Sequence, residues 1–174
     1  MKAKLTKRPL AILFVAVTLP TALAGLALAT PGSGILSASV LATASFVDPV
    51  DIKFKVGGTD ADIIHVRDAQ QTVMQQIVVG PGGHTGWHSH PGPAVVLIKA
   101  GELTLYSSDD PTCTGRTYSA GQAFVDSGQG HVHIARNLSQ TDNAELFVTY
   151  FDALPGPTGP IFRIDAPNPG TCPF

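Results

Sequence analysis

The sequence predicts an all-β fold in a single domain, either a barrel or a sandwich. Short apolar and alternating runs are separated by turn residues at close intervals, which is the pattern of sheets joined by tight connections. The chain has 18 glycines and 14 prolines among 174 residues, and no stretch beyond residue 29 has strong helical periodicity. With 44% hydrophobic and 14% charged residues, a chain of this length can bury one core.

The predicted strands follow one another from residue 35 to residue 151. Residues 35–46 are apolar and extended, and residues 51–56 alternate between apolar and polar side chains. Residues 71–79 form a β-rich run that the turn sequence of residues 80–83 is expected to close. The remaining strands are predicted at residues 94–99, 102–106, 122–126, 131–137 and 145–151.

The N-terminal segment has the layout of a secretory signal peptide. A basic head precedes an apolar run from residue 9 to residue 29, which ends in the small-residue sequence Ala27-Leu28-Ala29. We therefore expect cleavage after Ala29, a mature domain of residues 30–174, and a periplasmic or extracellular location. An uncleaved membrane anchor is the alternative, because the apolar run is long enough to span a bilayer. After cleavage we expect no stable membrane span.

The net charge and the two cysteines restrict the kinds of protein that fit this sequence. Removal of residues 1–29 takes four of 11 basic and none of 13 acidic residues, which leaves a net charge of −6 and gives no basic face for nucleic acid. In an exported chain, the pair Cys113 and Cys172 predicts one disulfide, which would pin the C-terminal tail of residues 156–174. Two free thiols are the alternative.

The spacing of the histidines is the feature of the sequence that indicates a functional site. Five of the six histidines fall in two clusters, His84, His88 and His90 in the first and His131 and His133 in the second. Side chains alternate along a strand, so His88 and His90 are expected to share one face, as are His131 and His133 if both lie within a strand. A third imidazole from a neighbouring strand would complete a set of three nitrogen ligands that leaves open positions on a metal ion.

Two sequence motifs identify a family that the chain resembles. Gly82-(x5)-His88-x-His90-(x3)-Ala94-(x6)-Gly101 matches the first cupin motif at every fixed position except its glutamate, which is replaced by Ala94. The second motif is matched by Gly121-(x6)-Gly128-x-Gly130-x2-His133-x3-Asn137, with one extra residue and Gly128 in place of a proline. The chain resembles a small, single-domain, type-2-like cupin.

The resemblance implies a double-stranded β-helix barrel that binds one divalent transition metal inside. By position in the motifs, His88, His90 and His133 are the expected metal ligands. Without the glutamate, three neutral imidazoles leave a divalent ion with its full charge, so the site should favour an anionic or bidentate substrate. The set is similar to the three-histidine iron centres of some cupin dioxygenases. Iron, zinc, nickel and copper all accept imidazole, whereas the case for manganese is weaker because that ion prefers oxygen ligands.

Several roles stay open at this level. His131 is the candidate catalytic residue, as a general base, although it can also be a ligand or hold another ligand in place. Asp126 either orients an imidazole or belongs to a turn, and His84 is either a fourth ligand or an exposed loop residue. Residues 35–46 either close their own barrel or pair with a second copy in a homodimer.

Three functions remain for a protein with a small-molecule ligand. The first is an exported metal-dependent oxygenase that acts on a small organic substrate. The second is a non-catalytic module that binds a metal or a small ligand. An isomerase or epimerase of sugar derivatives ranks last, because the basic residues, Arg163 among them, do not cluster in the sequence.

Overall fold

A computed structural model describes residues 28–57 and 62–174 of the chain. Within these ranges the regular structure is entirely β, which confirms the predicted fold class. The predicted signal peptide lies outside the described residues except for its last two positions. No helix among the described residues has the length and hydropathy needed to cross a bilayer. The strands are β1 (Ser33–Val56), β2 (Asp62–His84), β3 (His88–Ser89), β4 (Ala94–Ala100), β5 (Glu102–Ser107), β6 (Arg116–Ser119), β7 (Ala123–Asp126), β8 (His133–Arg136), β9 (Ala144–Phe151) and β10 (Ile164–Asp165).

The strands form a nearly closed antiparallel barrel. Their order is β10-β3-β8-β2-β9-β4-β7, with β1 paired to β2, and with β5 paired to both β8 and β6. Neighbours in the barrel are distant in sequence, since β2 pairs with β9 and β4 pairs with both β7 and β9. This topology brings the first motif, around β3 and β4, beside the second motif, around β7 and β8.

Strict alternation places the core inside the barrel. On β9 every second residue is buried, from Ala144 through Leu146 and Val148 to Tyr150. Val96 on β4 packs in the same cluster, as do residues of β2, β5 and β8. Each large aliphatic side chain buried in this way contributes about 1.5–3 kcal/mol relative to exposure. Because Tyr150 ends this inward-facing row, its ring comes to lie next to the histidines.

Two predicted boundaries differ in the structure. The runs 35–46 and 51–56 belong to the single strand β1, with breaks in register between Ser45 and Val50 and between Val50 and Ile52. The expected turn at residues 80–83 is wrong, because β2 continues through it to His84, which pairs with Ser33. Gly82 takes a φ of 68° there, so the strand bends without ending. Among the described strands, β1 pairs with β2 alone, so its other edge has no partner strand there and both interpretations of residues 35–46 stay predictions.

The C-terminal tail is fastened across the strand that carries His88. Strand β10 pairs with β3, with Ile164 opposite Ser89 and Asp165 opposite His88. The predicted disulfide is confirmed, since Cys113 and Cys172 are bonded with an S–S distance of 2.03 Å. The tail therefore covers one side of the histidine cluster.

Candidate metal centre and adjoining cavity

Three histidines meet inside the barrel, as the motif spacing predicts. His88 on β3 pairs directly with His133, the first residue of β8, and the centroids of their rings are 4.4 Å apart. His90 follows β3, and the centroid of its ring lies 4.9 Å from that of His88 and 5.2 Å from that of His133. Each of the three residues is 4% exposed. One nitrogen from each ring lies within 4.8 Å of the others, so the group can hold a metal ion.

Two of these rings are held by hydrogen bonds from Nδ1 to backbone carbonyls, and the third lies beside a carboxylate. His88 Nδ1 donates to the Gly86 carbonyl at 2.9 Å, and His90 Nδ1 donates to the Phe162 carbonyl at 2.7 Å. His133 Nδ1 lies 3.1 Å from Oδ2 of Asp126. A carbonyl oxygen only accepts, so in the neutral rings of His88 and His90 the proton belongs on Nδ1 and the lone pair on Nε2. This is the tautomer that metal-binding histidines use when Nε2 is the ligand atom.

Burial keeps the three rings neutral. It lowers the pKa of His133 from its ordinary value of 6.5 to about 4, and it lowers the pKa of His88 well below that value. The pKa of His90 is also lowered, again chiefly by burial. The positive charge of Arg163 acts in the same direction on His88 and His90. Neutral imidazoles at pH 7 bind a metal ion without first releasing a proton.

A carboxylate is present near the site, although not as a ligand in the first motif. Ala94, at the position of the missing glutamate, is fully buried and pairs directly with Asp126 on β7. Asp126 accepts a hydrogen bond from the Gly128 amide at 2.8 Å with Oδ1, and its Oδ2 faces His133. Burial alone would raise the pKa of Asp126, but His131 and the other partners bring it below its usual value. Asp126 therefore has the turn role, through its bond from the Gly128 amide, and its Oδ2 also lies beside the His133 ring.

His131 and His84 lie outside the three-histidine group. His131 precedes β8, so the expectation that it shares a strand with His133 is wrong. Its Nε2 is 2.6 Å from Oγ of Ser107, and its Nδ1 is 3.5 Å from Oδ2 of Asp126. The contact with Asp126 raises the pKa of His131, whose proposed catalytic role remains a prediction. His84 accepts a hydrogen bond from the Gly86 amide and has the position of a loop residue rather than a fourth ligand.

The other motif positions shape the backbone around the histidines. Gly128 has a φ of 60°, and a Cβ there would lie 1.8 Å from the Gly92 carbonyl oxygen, so a proline does not fit where the family motif has one. Asn137 is 1% exposed, and its Nδ2 donates to the carbonyls of Val79, Gly80 and Asp142. Both motifs thus lie on adjoining strands of one antiparallel barrel, with their histidines together inside it.

In its motifs and their placement the chain resembles the cupins.

Comparisons with known proteins add three likenesses of limited extent. No protein-family model and no curated protein matches this chain. Among solved structures, oxalate oxidase is 28% identical over 47% of this chain and 41% of that chain, with a TM-score of 0.39. A cupin domain from Bordetella pertussis is 20% identical over 62% and 99% of the two chains, with a TM-score of 0.40. A cupin from Methanocaldococcus jannaschii with a double-stranded β-helix fold is 18% identical over 74% and 91%, with a TM-score of 0.39. The chain spans well under half of the oxalate oxidase chain, and none of these likenesses carries a conclusion about its substrate or metal.

A cavity of about 670 Å³ adjoins the histidine group. Of the three clustered histidines, His88 lines it. Tyr150 also lines it, with its ring centroid 5.0 Å from that of His90 and its hydroxyl donating to Oε1 of Gln75 at 3.1 Å. Burial raises the pKa of Tyr150, so its hydroxyl stays protonated. The apolar lining includes Ile35, Ile77 and Phe162.

The sequence did not point to the polar side of this cavity. Arg163 lines it from the C-terminal tail, where the sequence has no periodicity to assign a face. Gln75 and Tyr150 read as ordinary strand residues until the barrel places them beside His88 and His90. One feature of the sequence could have identified Arg163 as a site residue. It is the one cationic residue of the tail, residues 156–174, that the predicted disulfide would fasten to the domain.

Proposed function

We propose that this chain holds one divalent transition-metal ion on His88, His90 and His133 and acts on a small organic substrate in the adjoining cavity. The observation that carries the proposal is the arrangement of the three rings. Each is buried and neutral, and one nitrogen from each ring lies within 4.8 Å of the others. His88 and His90 donate from Nδ1 to backbone carbonyls, and His133 lies beside the Asp126 carboxylate. A facial set of three imidazoles suits iron, zinc, nickel or copper, and manganese less well.

An oxygenase is the activity that this surrounding supports best. The ion, when bound, would supply Lewis acidity and open coordination positions for activating the substrate toward oxygen. The protein's own groups position the ligand rings, and the apolar walls at Ile35, Ile77 and Phe162 keep water away from the substrate.

Acid–base chemistry finds less support in the cavity lining. Tyr150 stays protonated, and the one lining carboxylate among the described residues, Asp165, accepts a hydrogen bond from Arg163 at 2.7 Å. A sugar isomerase or epimerase would need a free base at this position. We assign His131 an indirect role in the reaction. It contacts Asp126, and the Asp126 carboxylate in turn lies beside His133 and acts on the orientation of that ring.

Export is part of the same proposal. A disulfide persists in oxidising compartments, and Cys113–Cys172 fits a periplasmic or extracellular protein. Cleavage after Ala29 predicts that N-terminal sequencing of the secreted protein begins at Thr30. An anchored protein would instead stay with the membrane fraction with Lys2 and Lys4 retained. Homodimerisation through the outer edge of β1 is a hypothesis for light scattering to test.

Metal analysis tests the central claim. We expect about one equivalent of a transition metal in the wild type and almost none in the His88→Ala/His90→Ala double variant. His65→Ala is the matched control, because His65 lies on the β1–β2 ribbon beside Asp51, away from the cluster. Wild type that takes up no ion after reconstitution under reducing conditions would overturn the proposal. Metal retained without oxygen consumption on any candidate substrate would favour a non-catalytic binding module.

A further inference from the structure

One cationic side chain lines the cavity beside the histidines. Among the described residues that line it, Arg163 alone carries a permanent positive charge. It comes from the tail segment that pairs with β3, where Asp165 lies directly opposite His88. Arg163 and His88 therefore border the same space, although they are 75 residues apart in sequence.

The guanidinium of Arg163 is held in place by two hydrogen bonds and keeps further N–H donors for a ligand. Its Nη2 donates to the Thr85 carbonyl at 2.7 Å, and its Nε donates to Oδ1 of Asp165 at 2.7 Å. An arginine has five N–H donors, so three remain after these two bonds. The side chain is 32% exposed, and its fixed position lowers the entropy lost when a ligand binds.

The remaining walls specify the body of the ligand. Ile77 and Phe162 offer apolar surface, whereas Gln75 offers an amide. The Oε1 atom of Gln75 accepts the Tyr150 hydroxyl, which leaves its Nε2 as a hydrogen-bond donor. The cavity thus combines the Arg163 guanidinium, which is paired on one side with the lining carboxylate of Asp165, an amide donor and apolar walls. Such a set matches a molecule with an acidic oxygen pair at one end and a compact hydrocarbon body at the other.

We propose that Arg163 anchors the carboxylate of a small monocarboxylic acid with an apolar body, and that this is the class of substrate the cavity takes. The inference deepens the proposed function and rests on it for the identity of the reacting site. A planar guanidinium binds a carboxylate through two parallel N–H···O bonds, which fixes the orientation of the ligand as well as its position. With the carboxylate on Arg163, the rest of the molecule extends along the wall formed by His88.

The experiment uses benzoate and its neutral isostere benzamide as probes, titrated calorimetrically into metal-free full-length mature protein. We expect benzoate to bind the wild type and to bind Arg163→Gln at least tenfold more weakly, while benzamide binds weakly to both. Arg163→Lys should retain part of the affinity, because it keeps the charge but loses the fork. Arg116→Gln is the matched control, since Arg116 lies over the Tyr118 ring away from this cavity.

Three outcomes would overturn the proposal. These are absence of benzoate binding to the wild type, equal binding by Arg163→Gln, and benzamide binding as tight as benzoate. If Arg163→Gln does not fold, the ratio of benzoate to benzamide affinity in Arg163→Lys gives the same decision, with a ratio unchanged from wild type as the contradicting result. Metal uptake by the same protein preparations, measured after separate reconstitution with divalent ions, separates the two proposals. If the protein binds benzoate through Arg163 but takes up no metal, the proposed function is wrong, whereas the proposed carboxylate binding by Arg163 is supported.

Discussion

The carboxylate of Asp126 lies 3.1 Å from Nδ1 of His133. The family resemblance places a carboxylate ligand at position 94, where this chain has alanine. Ala94 and Asp126 are direct partners across β4 and β7, so the acidic group stands one strand away from the expected position. The chain therefore keeps a negative charge near the centre, where Asp126 forms a second group of possible ligand atoms with His131 and His133.

Replacing Asp126 with asparagine should weaken metal binding by about 10- to 100-fold without abolishing it. Asparagine keeps an oxygen near Nδ1 of His133 but removes the charge that orients the ring and makes Nε2 more basic. Competition with a chelator measures the affinity. Asp109→Asn is the control, because Asp109 is exposed and contacts His131 but not His133. Equal affinities for Asp126→Asn and wild type would show that the carboxylate does not support the site.

The motifs were sufficient to predict the histidine cluster, because local spacing determines most of it. The two-residue spacing of His88 and His90 and the glycines before His133 depend on backbone geometry within a few residues. Contacts made between distant segments were not predictable. Arg163 reaches the cavity only because β10 pairs with β3, and β2 continues past residue 80 only because β1 pairs beside it. His131 was assigned to a strand that in fact begins two residues later.

Removal of the disulfide should destabilise the protein by about 4 kcal/mol, because Cys113 and Cys172 are 59 residues apart and the unlinked chain gains that much loop entropy on unfolding. The variant is Cys113→Ser/Cys172→Ser, and denaturant unfolding of the metal-free protein gives the free energy. Wild type treated with reductant should approach the variant. The variant itself should not respond to reductant. A midpoint within error of the oxidised wild type would mean that pairing of β10 with β3 holds the tail unaided.

Acidification should destabilise the metal-free protein as soon as the pH falls below about 6.5, where histidines titrate, which is a higher pH than the range near 4 where carboxylates titrate. The pKa of His133 is about 4 when folded and about 6.5 when unfolded, so below pH 6.5 the unfolded state binds a proton that the folded state does not. This residue alone removes about 3 kcal/mol between pH 6.5 and pH 4. His88 and His90 act in the same direction. His131 opposes them, because its raised pKa adds stability that is present below pH 6.5 and is lost as pH rises through its folded value.

Unfolding free energies of the metal-free protein at pH 7.5, 6.0 and 5.0 check this dependence. His133→Gln is the informative variant, because it retains a polar side chain without a titrating ring. We expect a smaller fall in stability with acid for this variant than for wild type. A wild-type stability that is flat from pH 7.5 to pH 5.0 would contradict the neutral, buried state of the three rings.

Ala94→Glu, which restores the glutamate of the first motif, should lower the stability of the metal-free protein. Bound metal should recover part of that loss. Ala94 is fully buried and pairs with both Asp126 and Tyr150, so Ala94→Glu forces a second carboxylate beside the first and crowds the tyrosine ring. We expect a loss of about 2–5 kcal/mol without metal, partly recovered with excess divalent ion, since a fourth ligand repays some of the cost. Ala94→Gln has similar bulk and no charge, and thermal unfolding with and without ion compares the two. If the ion rescues Ala94→Gln as well as Ala94→Glu, the new carboxylate does not reach the metal, and the position of Asp126 rather than the lost glutamate governs the charge of this centre.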